Sequence, residues 1–205
     1  PFVHPVNIYA GSYKNLNHSD LIIITAGISQ KPGQSRLELL QKNAEILKDI
    51  LHQVMAHSSG ALILIATNPV DVMTHIAVKY AEKQGHPKHK IFGTGTTLDT
   101  ARFRSLLGNH IGVDPNHVHG YVIGEHGDSE VLTWSIVDIG GLPLKEFAKL
   151  RNIPFNKKIR DNIDDQVRHA AYHIIEGKGS TYYGIGGSIA RIVDIISHDQ
   201  RAFIT

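Results

Sequence analysis

The residue in this chain best suited to chemistry is His126, which lies within the stretch GEHGD at residues 124–128. A histidine exchanges protons near neutral pH, and its small, polar and acidic neighbours are typical of a reactive site. Such a histidine would suit a redox reaction that takes up one proton for each hydride. A single histidine is more often an ordinary surface or core residue, so the prediction depends on what the rest of the chain supplies.

The composition is typical of a globular protein with a hydrophobic core, and it argues against several classes of function. Of 205 residues, 21 are basic and 19 acidic. Because no dense block of Lys and Arg is present, nucleic-acid binding is not expected, whereas a small anionic substrate is compatible with the charge balance. The longest apolar runs, at residues 21–25 and 61–67, are too short to span a membrane. The absence of cysteine excludes disulfides and thiolate metal sites and favours a cytoplasmic location.

Apolar periodicity predicts alternating strands and helices in the first half of the chain. The β-branched runs at residues 21–25 and 61–67 are apolar on both faces, as in strands of a buried parallel sheet. Apolar residues recur at helical spacing over residues 37–54, which predicts a connecting helix. A second helix is expected from Pro69 to about Gly85, followed by a strand at residues 91–93. This alternation predicts an open α/β sheet, whose ligands bind at the carboxyl ends of the strands.

Beyond about residue 94 the pattern changes to short strands followed by helices, which predicts a second domain of the α+β class. We expect a helix at residues 98–107, strands at 117–123 and 131–139, and one long helix at 156–176. The predicted domains are therefore residues 1–94 and 95–205.

Six stretches resemble motifs of the NAD-dependent lactate/malate dehydrogenase family, in the form typical of its bacterial L-lactate dehydrogenase members. They are TAG at 25–27, QKPGQSR at 30–36, TNPVD at 67–71, LDTARFR at 98–104, GEHGD at 124–128 and GSTYYG at 179–184. One match would be weak evidence, whereas six in the family's order are specific. The resemblance implies a Rossmann-type parallel sheet in residues 1–94, of which only the second part is present, and a substrate domain in residues 95–205.

The resemblance also implies an activity, the interconversion of L-lactate and pyruvate by hydride transfer with NAD, as in glycolysis and fermentation. His126 would donate a proton to the substrate carbonyl and accept it back in the reverse reaction. Asp99 would fix the tautomer of the imidazole and stabilise its charged form. Arg102, three residues further along a helix, would bind the substrate carboxylate with two hydrogen bonds. Without the resemblance, Asp99 could equally be a residue of a helix start, and Arg102 a solvated surface arginine.

Gln30 and Arg36 belong to a polar segment that contains Gly and Pro and is predicted to be a surface loop. By resemblance this loop closes over the substrate, and Arg36 polarises the carbonyl group. Gln30 would read the substrate side chain, since a neutral amide accepts pyruvate but leaves the second carboxylate of oxaloacetate without a countercharge. Alternatively, Arg36 is only the first-turn residue of the following helix, although a cation there opposes the helix dipole.

Further contacts are implied by the resemblance. The residues that would contact NAD are Thr25, Ala26, Gly27, Asn68 and Ile185. Asn68 would also hold the substrate hydroxyl group, and Thr181 would line the substrate pocket. Asn68 could otherwise be a helix cap, and Thr181 and Ile185 ordinary cap and core residues. The Asn68–Pro69 bond is a candidate cis peptide.

Two cationic residues, Arg104 and His119, resemble the pair by which many bacterial members bind fructose 1,6-bisphosphate at a subunit interface. Two scattered surface residues would be nearly as good an interpretation. His117 and His119 could place two imidazoles on one strand face, but without a third ligand at suitable spacing no metal site is predicted. The family is typically tetrameric, so a homotetramer is implied.

The family's glycine-rich turn and its ribose-binding acidic residue would precede Pro1, and its last strands and helix would follow Thr205. We therefore expect a piece of a longer protein, and an inactive fragment is the alternative to an enzyme. Among enzymes, malate dehydrogenase or another 2-hydroxy acid dehydrogenase is the second candidate.

Overall fold

The computed structural model describes residues 5–28, 36–58 and 60–205, and the backbone alone of Arg36. The chain divides into two compact units, Pro1–Gly93 and Thr94–Thr205, called here the N-terminal and C-terminal units. Each unit has its own hydrophobic core. None of the helices in the described ranges combines the length and the hydropathy needed to cross a lipid bilayer.

The N-terminal unit is a three-stranded parallel sheet with two helices packed against it. In chain order its elements are β1 (Leu21–Ile24), α1 (Arg36–His57), β2 (Leu62–Ile65), α2 (Val70–Lys83) and β3 (Ile91–Gly93). The strand order is β1-β2-β3, with Ile24 opposite Ile65 and Ile65 opposite Gly93. The three strands therefore end level with one another, and the segments that follow β1 and β2 lie at the same edge of the sheet.

The core of the N-terminal unit follows the periodicity seen in the sequence. Leu47, Leu51 and Val54 of α1 lie on one helical face and are fully buried in the same core as Ile22 and Ile24 of β1. Helix α2 begins directly after the Asn68–Pro69 peptide, which is cis as predicted. The elements expected in this half of the chain are confirmed, because each is specified by a local apolar repeat.

The C-terminal unit combines helices with short antiparallel strands. Its elements are α3 (Thr97–Ile111), β4 (Val118–His119), β5 (Val122–Ile123), β6 (Val131–Leu132), β7 (Asp138–Ile139), β8 (Leu142–Pro143), α4 (Leu144–Leu150), α5 (Lys157–Arg168), α6 (Ala170–Lys178) and α7 (Tyr183–Ser197). Strands β4, β7 and β8 form one sheet, and β5 and β6 form another. The mixed α/β fold with a parallel sheet followed by an α+β unit is as predicted.

The prediction of one strand at residues 117–123 was wrong. His117 ends a 3-10 turn, and β4 and β5 pair with different strands. The break lies at Gly120, where a Cβ atom would stand only 2.9 Å from the ring of Phe103 on α3. His117 and His119 consequently do not share a strand, so the basis for a histidine pair on one strand face is lost.

Two further predicted elements are each interrupted in the structure. The strand expected at residues 131–139 is interrupted by a 3-10 turn at Trp134–Ile136, whose Trp134 packs edge-on against Phe103. The single helix expected at residues 156–176 is two helices, α5 and α6, that meet at His169. Helix α5 buries Ile163 and Val167, whereas α6 buries none of its residues. An apolar repeat does not reveal a break of one residue between two helices.

Candidate active site

A buried carboxylate, Asp99, holds the two cationic side chains that the sequence assigned to the same site. Asp99 is 2% exposed and lies in the first turn of α3. Its Oδ2 atom is 2.5 Å from Nδ1 of His126, and its Oδ1 atom accepts a hydrogen bond of 3.1 Å from Nη1 of Arg102. Asp99 is therefore a residue of the helix start, as in the alternative, and its side chain also pairs with His126 and Arg102.

The first turn of α3 is tied to strand β5, and this tie brings Asp99 opposite His126. The hydroxyl of Thr96 donates to the carbonyl oxygen of Val122 at 2.6 Å, and the amide of Val122 donates to the hydroxyl of Thr100 at 2.8 Å. Since β5 leads directly into residues 124–128, these bonds set where the histidine stretch starts.

The stretch around His126 is held from its other side by helices α5 and α6. A guanidinium nitrogen of Arg168 donates to the carbonyl oxygen of Asp128 at 2.8 Å, and the Tyr172 hydroxyl donates to the Asp128 carboxylate at 3.3 Å. Gly127 has a φ of +150°, which is open to glycine but strained for other residues. The backbone on both sides of His126 is thus positioned by distant parts of the chain.

The hydrogen bond that His126 donates to Asp99 raises the pKa of His126, and the charges of Asp99 and Glu130 act in the same direction. Burial of the ring and the charge of Arg102 oppose this rise. With Nδ1 donating to a carboxylate, Nε2 is the nitrogen positioned to exchange a proton with a bound ligand. The pair can therefore act as a general acid near neutral pH.

Glu130 is a member of the site that the sequence analysis missed. It is 2% exposed, and burial, followed by the charge of Asp99, raises its pKa to about 7. Ligand atoms of Asp99, His126 and Glu130 all lie within 4.8 Å of one another, a grouping that could hold a metal ion. In the structure, the two oxygen atoms of the Asp99 carboxylate are instead paired with His126 and Arg102. No local signal could have identified Glu130, because an acidic residue at the end of a polar stretch normally faces solvent.

A cavity of about 460 Å³ lies beside Arg102 within the C-terminal unit. Arg102, Thr181 and Ile185, all assigned by resemblance to the site, line this cavity together. Its wall also includes Leu98 of α3, whose side chain would be only 3.1 Å from a Cβ atom at position 184. Gly184 therefore permits the close approach of α7 to α3 that forms one side of the cavity.

In the N-terminal unit, Thr25, Ala26 and Gly27 follow β1 at the carboxyl edge of the sheet and are exposed. The Thr67 hydroxyl donates to the carbonyl oxygen of Ala26 at 2.7 Å. A Cβ atom at Gly27 would stand 2.9 Å from the methyl group of Thr67. The segment thus presents its backbone at the edge of the sheet where ligands of such folds bind.

Asn43 organises the same edge and was also missed. It is 3% exposed on α1, and its side-chain oxygen accepts from the amide of Ile28 at 2.8 Å. Its nitrogen donates to the carbonyl oxygens of Ile28 and Asn68, at 3.3 Å and 3.5 Å. A signal was available, because Asn43 is a polar residue on the apolar stripe of α1, four residues before Leu47.

Three other residues were assigned to the site from the sequence. Gln30 lies outside the described residues, and Arg36 is the first residue of α1, with a side chain that is likewise outside them. Asn68 is exposed, and its side-chain oxygen accepts from the amide of Val70 at 3.3 Å, whereas the N-cap position of α2 is occupied by Pro69.

Arg104 and His119, the two residues assigned to an anionic effector, are both close to Gly120. Arg104 donates to the carbonyl oxygen of Gly120 at 2.8 Å and lies 4.8 Å from the ring centre of Tyr121. His119, immediately before Gly120, is exposed on β4. Arg104 also lines a second cavity of about 310 Å³.

The N-terminal unit is a parallel α/β unit whose carboxyl edge carries the exposed residues 25–27. The C-terminal unit is an α+β unit in which a buried carboxylate pairs with a histidine and an arginine. These features define an α/β protein with groups suited to acid–base chemistry. Residues 1–93 match the family model of the NAD binding domain of lactate/malate dehydrogenases, and residues 96–205 match that of their alpha/beta C-terminal domain. The chain belongs to the lactate/malate dehydrogenase family, as the six stretches predicted.

Individual relatives agree with this assignment. The chain is 51% identical over 205 residues to L-lactate dehydrogenases of Geotalea daltonii and of Chloroherpeton thalassium, covering 100% of the chain and 66% of each relative. It superposes with a TM-score of 0.93 on the crystal structure of MGS-M5, a lactate dehydrogenase from a Medee basin deep-sea metagenome library. That match has 37% identity and covers 98% of this chain and 63% of the other. The chain thus spans about two thirds of the length of the relatives it matches.

Proposed function

We propose that the chain carries the acid–base and substrate-binding groups of an NAD-dependent L-lactate dehydrogenase, which interconverts L-lactate and pyruvate. The observation that supports this most directly is the contact of one buried carboxylate, Asp99, with both His126 and Arg102. Family membership and relatives named L-lactate dehydrogenase at 51% identity support the choice of reaction. In this proposal residues 1–94 form the dinucleotide-binding domain and residues 95–205 the substrate domain.

NAD, when bound, supplies or accepts the hydride at the substrate carbon. The exposed backbone of Thr25, Ala26 and Gly27 fits this cofactor, because it ends a parallel strand at the edge where dinucleotides bind. Asn68, which Asn43 links to the segment after β1, would complete this surface, and Ile185 would contact the nicotinamide.

The substrate chemistry follows from the cluster in the C-terminal unit. In pyruvate reduction, His126 gives its Nε2 proton to the carbonyl oxygen, and Asp99 stabilises the imidazolium beforehand. Arg102 keeps one nitrogen on Asp99, so the rest of its planar guanidinium can bind the substrate carboxylate in the cavity with Thr181. The raised pKa of His126 favours the charged form of its ring, which suits reduction. In the oxidation of lactate the same nitrogen takes the hydroxyl proton.

Two residues of the predicted loop complete the proposal. Arg36 would polarise the carbonyl group as water is excluded, and Gln30 would select pyruvate over oxaloacetate through its neutral amide. The proposed setting is glycolysis and fermentation in the cytoplasm.

The proposed assembly is a homotetramer regulated by fructose 1,6-bisphosphate. Arg104 and the exposed His119 flank Gly120, so two cationic side chains per subunit could meet their copies across a twofold axis. We expect the bisphosphate to lower the pyruvate concentration needed for half-maximal rate, and the substitution Arg104→Gln to abolish this effect. An unchanged half-maximal concentration in the wild type would refute the regulatory site.

The activity is tested by titrating the chain with NADH and then following NADH oxidation with pyruvate or oxaloacetate. Saturable NADH binding and faster turnover of pyruvate are expected, with turnover lost in His126→Asn. Binding without turnover would leave a cofactor-binding module, and neither binding nor turnover would favour the inactive-fragment alternative. Faster turnover of oxaloacetate would indicate a malate dehydrogenase.

A further inference from the structure

Glu130 is a buried acid to which the proposed mechanism gives no role. It stands where the polar stretch around His126 ends and β6 begins, and its side chain is among the most completely buried of the described residues. One of its carboxyl oxygens, Oε1, has no hydrogen-bond partner among the described protein atoms. Burial of an unsatisfied carboxyl group is unfavourable, so a residue of this kind at a catalytic cluster points to a function.

The surroundings of Glu130 couple it to the proton on His126. Oxygen atoms of Glu130 and Asp99 and a ring nitrogen of His126 lie within 4.8 Å of one another. Asp99 and His126 act on Glu130 with opposite signs, and the positive charges of Arg168 and Arg102 also reach it. Two carboxylates at such a distance repel each other strongly in a buried site unless a proton or an imidazolium lies between them.

We propose that Glu130 is a positioning residue that sets the proton affinity of His126. When Glu130 is ionised, it stabilises the imidazolium together with Asp99, and when it is protonated, Asp99 acts alone. The loss of a proton from His126 in turn raises the proton affinity of Glu130, so an ionised Glu130 takes up a proton and the net charge of the cluster changes little during the reaction. The catalytic consequence rests on the proposed function, whereas the coupling is a property of the folded chain.

The electrostatics of the two groups agree with this geometry. Burial and the charge of Asp99 raise the pKa of Glu130 to about 7, while the charge of Glu130 contributes to the raised pKa of His126. Each group therefore affects the titration of the other. Groups that interact in this way lose their protons in coupled steps and not independently.

The test is a titration of the histidine ring signals by NMR, with the His126 signal assigned from its loss in His126→Asn. In the wild-type chain the curve should be broadened or biphasic. In Glu130→Gln, which keeps the side-chain shape, it should become a simple one-proton curve with its midpoint lower by roughly one pH unit. Glu125→Gln is the matched control, since it makes the same change of charge at an exposed position next to His126. The control should retain the wild-type curve.

A His126 midpoint that is unchanged in Glu130→Gln would overturn the proposal, as would the same shift in Glu125→Gln. If Glu130→Gln does not fold, as judged by circular dichroism, the wild-type curve alone decides, and a simple one-proton curve counts against coupling. In the kinetic arm, the alkaline limb of kcat/KM for pyruvate reduction should move to lower pH in Glu130→Gln. Absence of turnover in the wild type would speak against the proposed function and leave the NMR result standing.

Discussion

Asp99 and His126 lie 27 residues apart in the sequence, and Oδ2 of the carboxylate is 2.5 Å from Nδ1 of the imidazole. The contact depends on Thr96 and Thr100, which tie the start of α3 to β5 just before the histidine stretch. The general acid is therefore assembled within the C-terminal unit, and its strength depends on the Asp99 side chain.

Replacing Asp99 with Asn should lower the pKa of His126, because the hydrogen bond to the carboxylate is the largest factor that raises it. The kcat/KM for pyruvate should fall about a hundredfold or more, since the imidazolium loses its stabilising charge. NMR titration and steady-state kinetics measure the two effects. Asp161→Asn, at an exposed ion pair with Lys157, is the control. An unchanged His126 midpoint in Asp99→Asn would contradict this account.

Replacing Arg102 with Lys keeps the positive charge of the side chain and removes the planar guanidinium group. Arg102 bonds to Asp99 through one nitrogen and faces the cavity that Thr181 also lines. A lysine ammonium cannot hold Asp99 and a planar carboxylate in parallel, so KM for pyruvate should rise about tenfold to a hundredfold, with a smaller change in kcat. The exposed Arg151, changed to Lys, should leave both constants unaltered. Equal kinetics for Arg102→Lys and the wild type would remove Arg102 from the substrate site.

Asn43→Ala tests whether the hydrogen bonds of the Asn43 side chain hold the segment after β1 at the carboxyl edge of the parallel sheet. The amide and carbonyl groups of Ile28 lose their partner, so the free energy of unfolding should fall by about 1–3 kcal/mol. NADH binding should weaken as well, because the segment after β1 is no longer held. Urea denaturation and fluorescence titration with NADH measure these effects. Gln41→Ala, at an exposed position of the same helix, should change neither, and equal losses in both variants would show that the effect is one of helix stability.

The free energy of unfolding should depend on pH because of the buried carboxyl group of Glu130. The pKa of Glu130 is raised from its ordinary value of 4.5 to about 7, so the unfolded chain releases this proton first. Stability is therefore lost as pH rises from about 4.5 to about 7, by an amount on the order of 3 kcal/mol. His126 acts in the same direction, because its stabilising contribution is present below pH 6.5 and is lost as pH rises through its raised pKa.

Glu130→Gln should accordingly gain stability over the wild type above pH 7 and differ little below pH 4.5. Urea midpoints of both proteins on either side of this window give the comparison. Parallel pH profiles of the two proteins would mean that Glu130 titrates as an ordinary carboxyl group.

Gln30→Arg tests the assigned specificity position. A guanidinium there would give the second carboxylate of oxaloacetate a countercharge, so the ratio of kcat/KM for oxaloacetate to that for pyruvate should rise by at least about a hundredfold. Gln34→Arg adds the same charge within the same predicted loop and serves as the control. Retained preference for pyruvate in Gln30→Arg would place the specificity residue elsewhere.

Sequence patterns predicted the helices and strands of the first half of the chain more accurately than those of the second half. Strands β1 and β2 and helices α1 and α2 each carry a run or repeat of apolar residues, and they form within a few residues of the expected bounds. The predictions of continuous strands at residues 117–123 and 131–139 were wrong. Both strands are interrupted where the chain packs against Phe103 of α3, at Gly120 in the first and at Trp134 in the second. No local pattern contains that partner.

The amino-acid sequence by itself determined which groups were available for chemistry, including His126, Asp99 and Arg102, and it was enough to identify the family. Only the tertiary structure showed that Asp99 serves two cationic partners at once and that Glu130 is withdrawn from solvent beside them. The physical reason is that burial and charge interactions depend on distance in space. The groups that surround Glu130 come from α3, from the histidine stretch and from α5, and only folding brings those segments together.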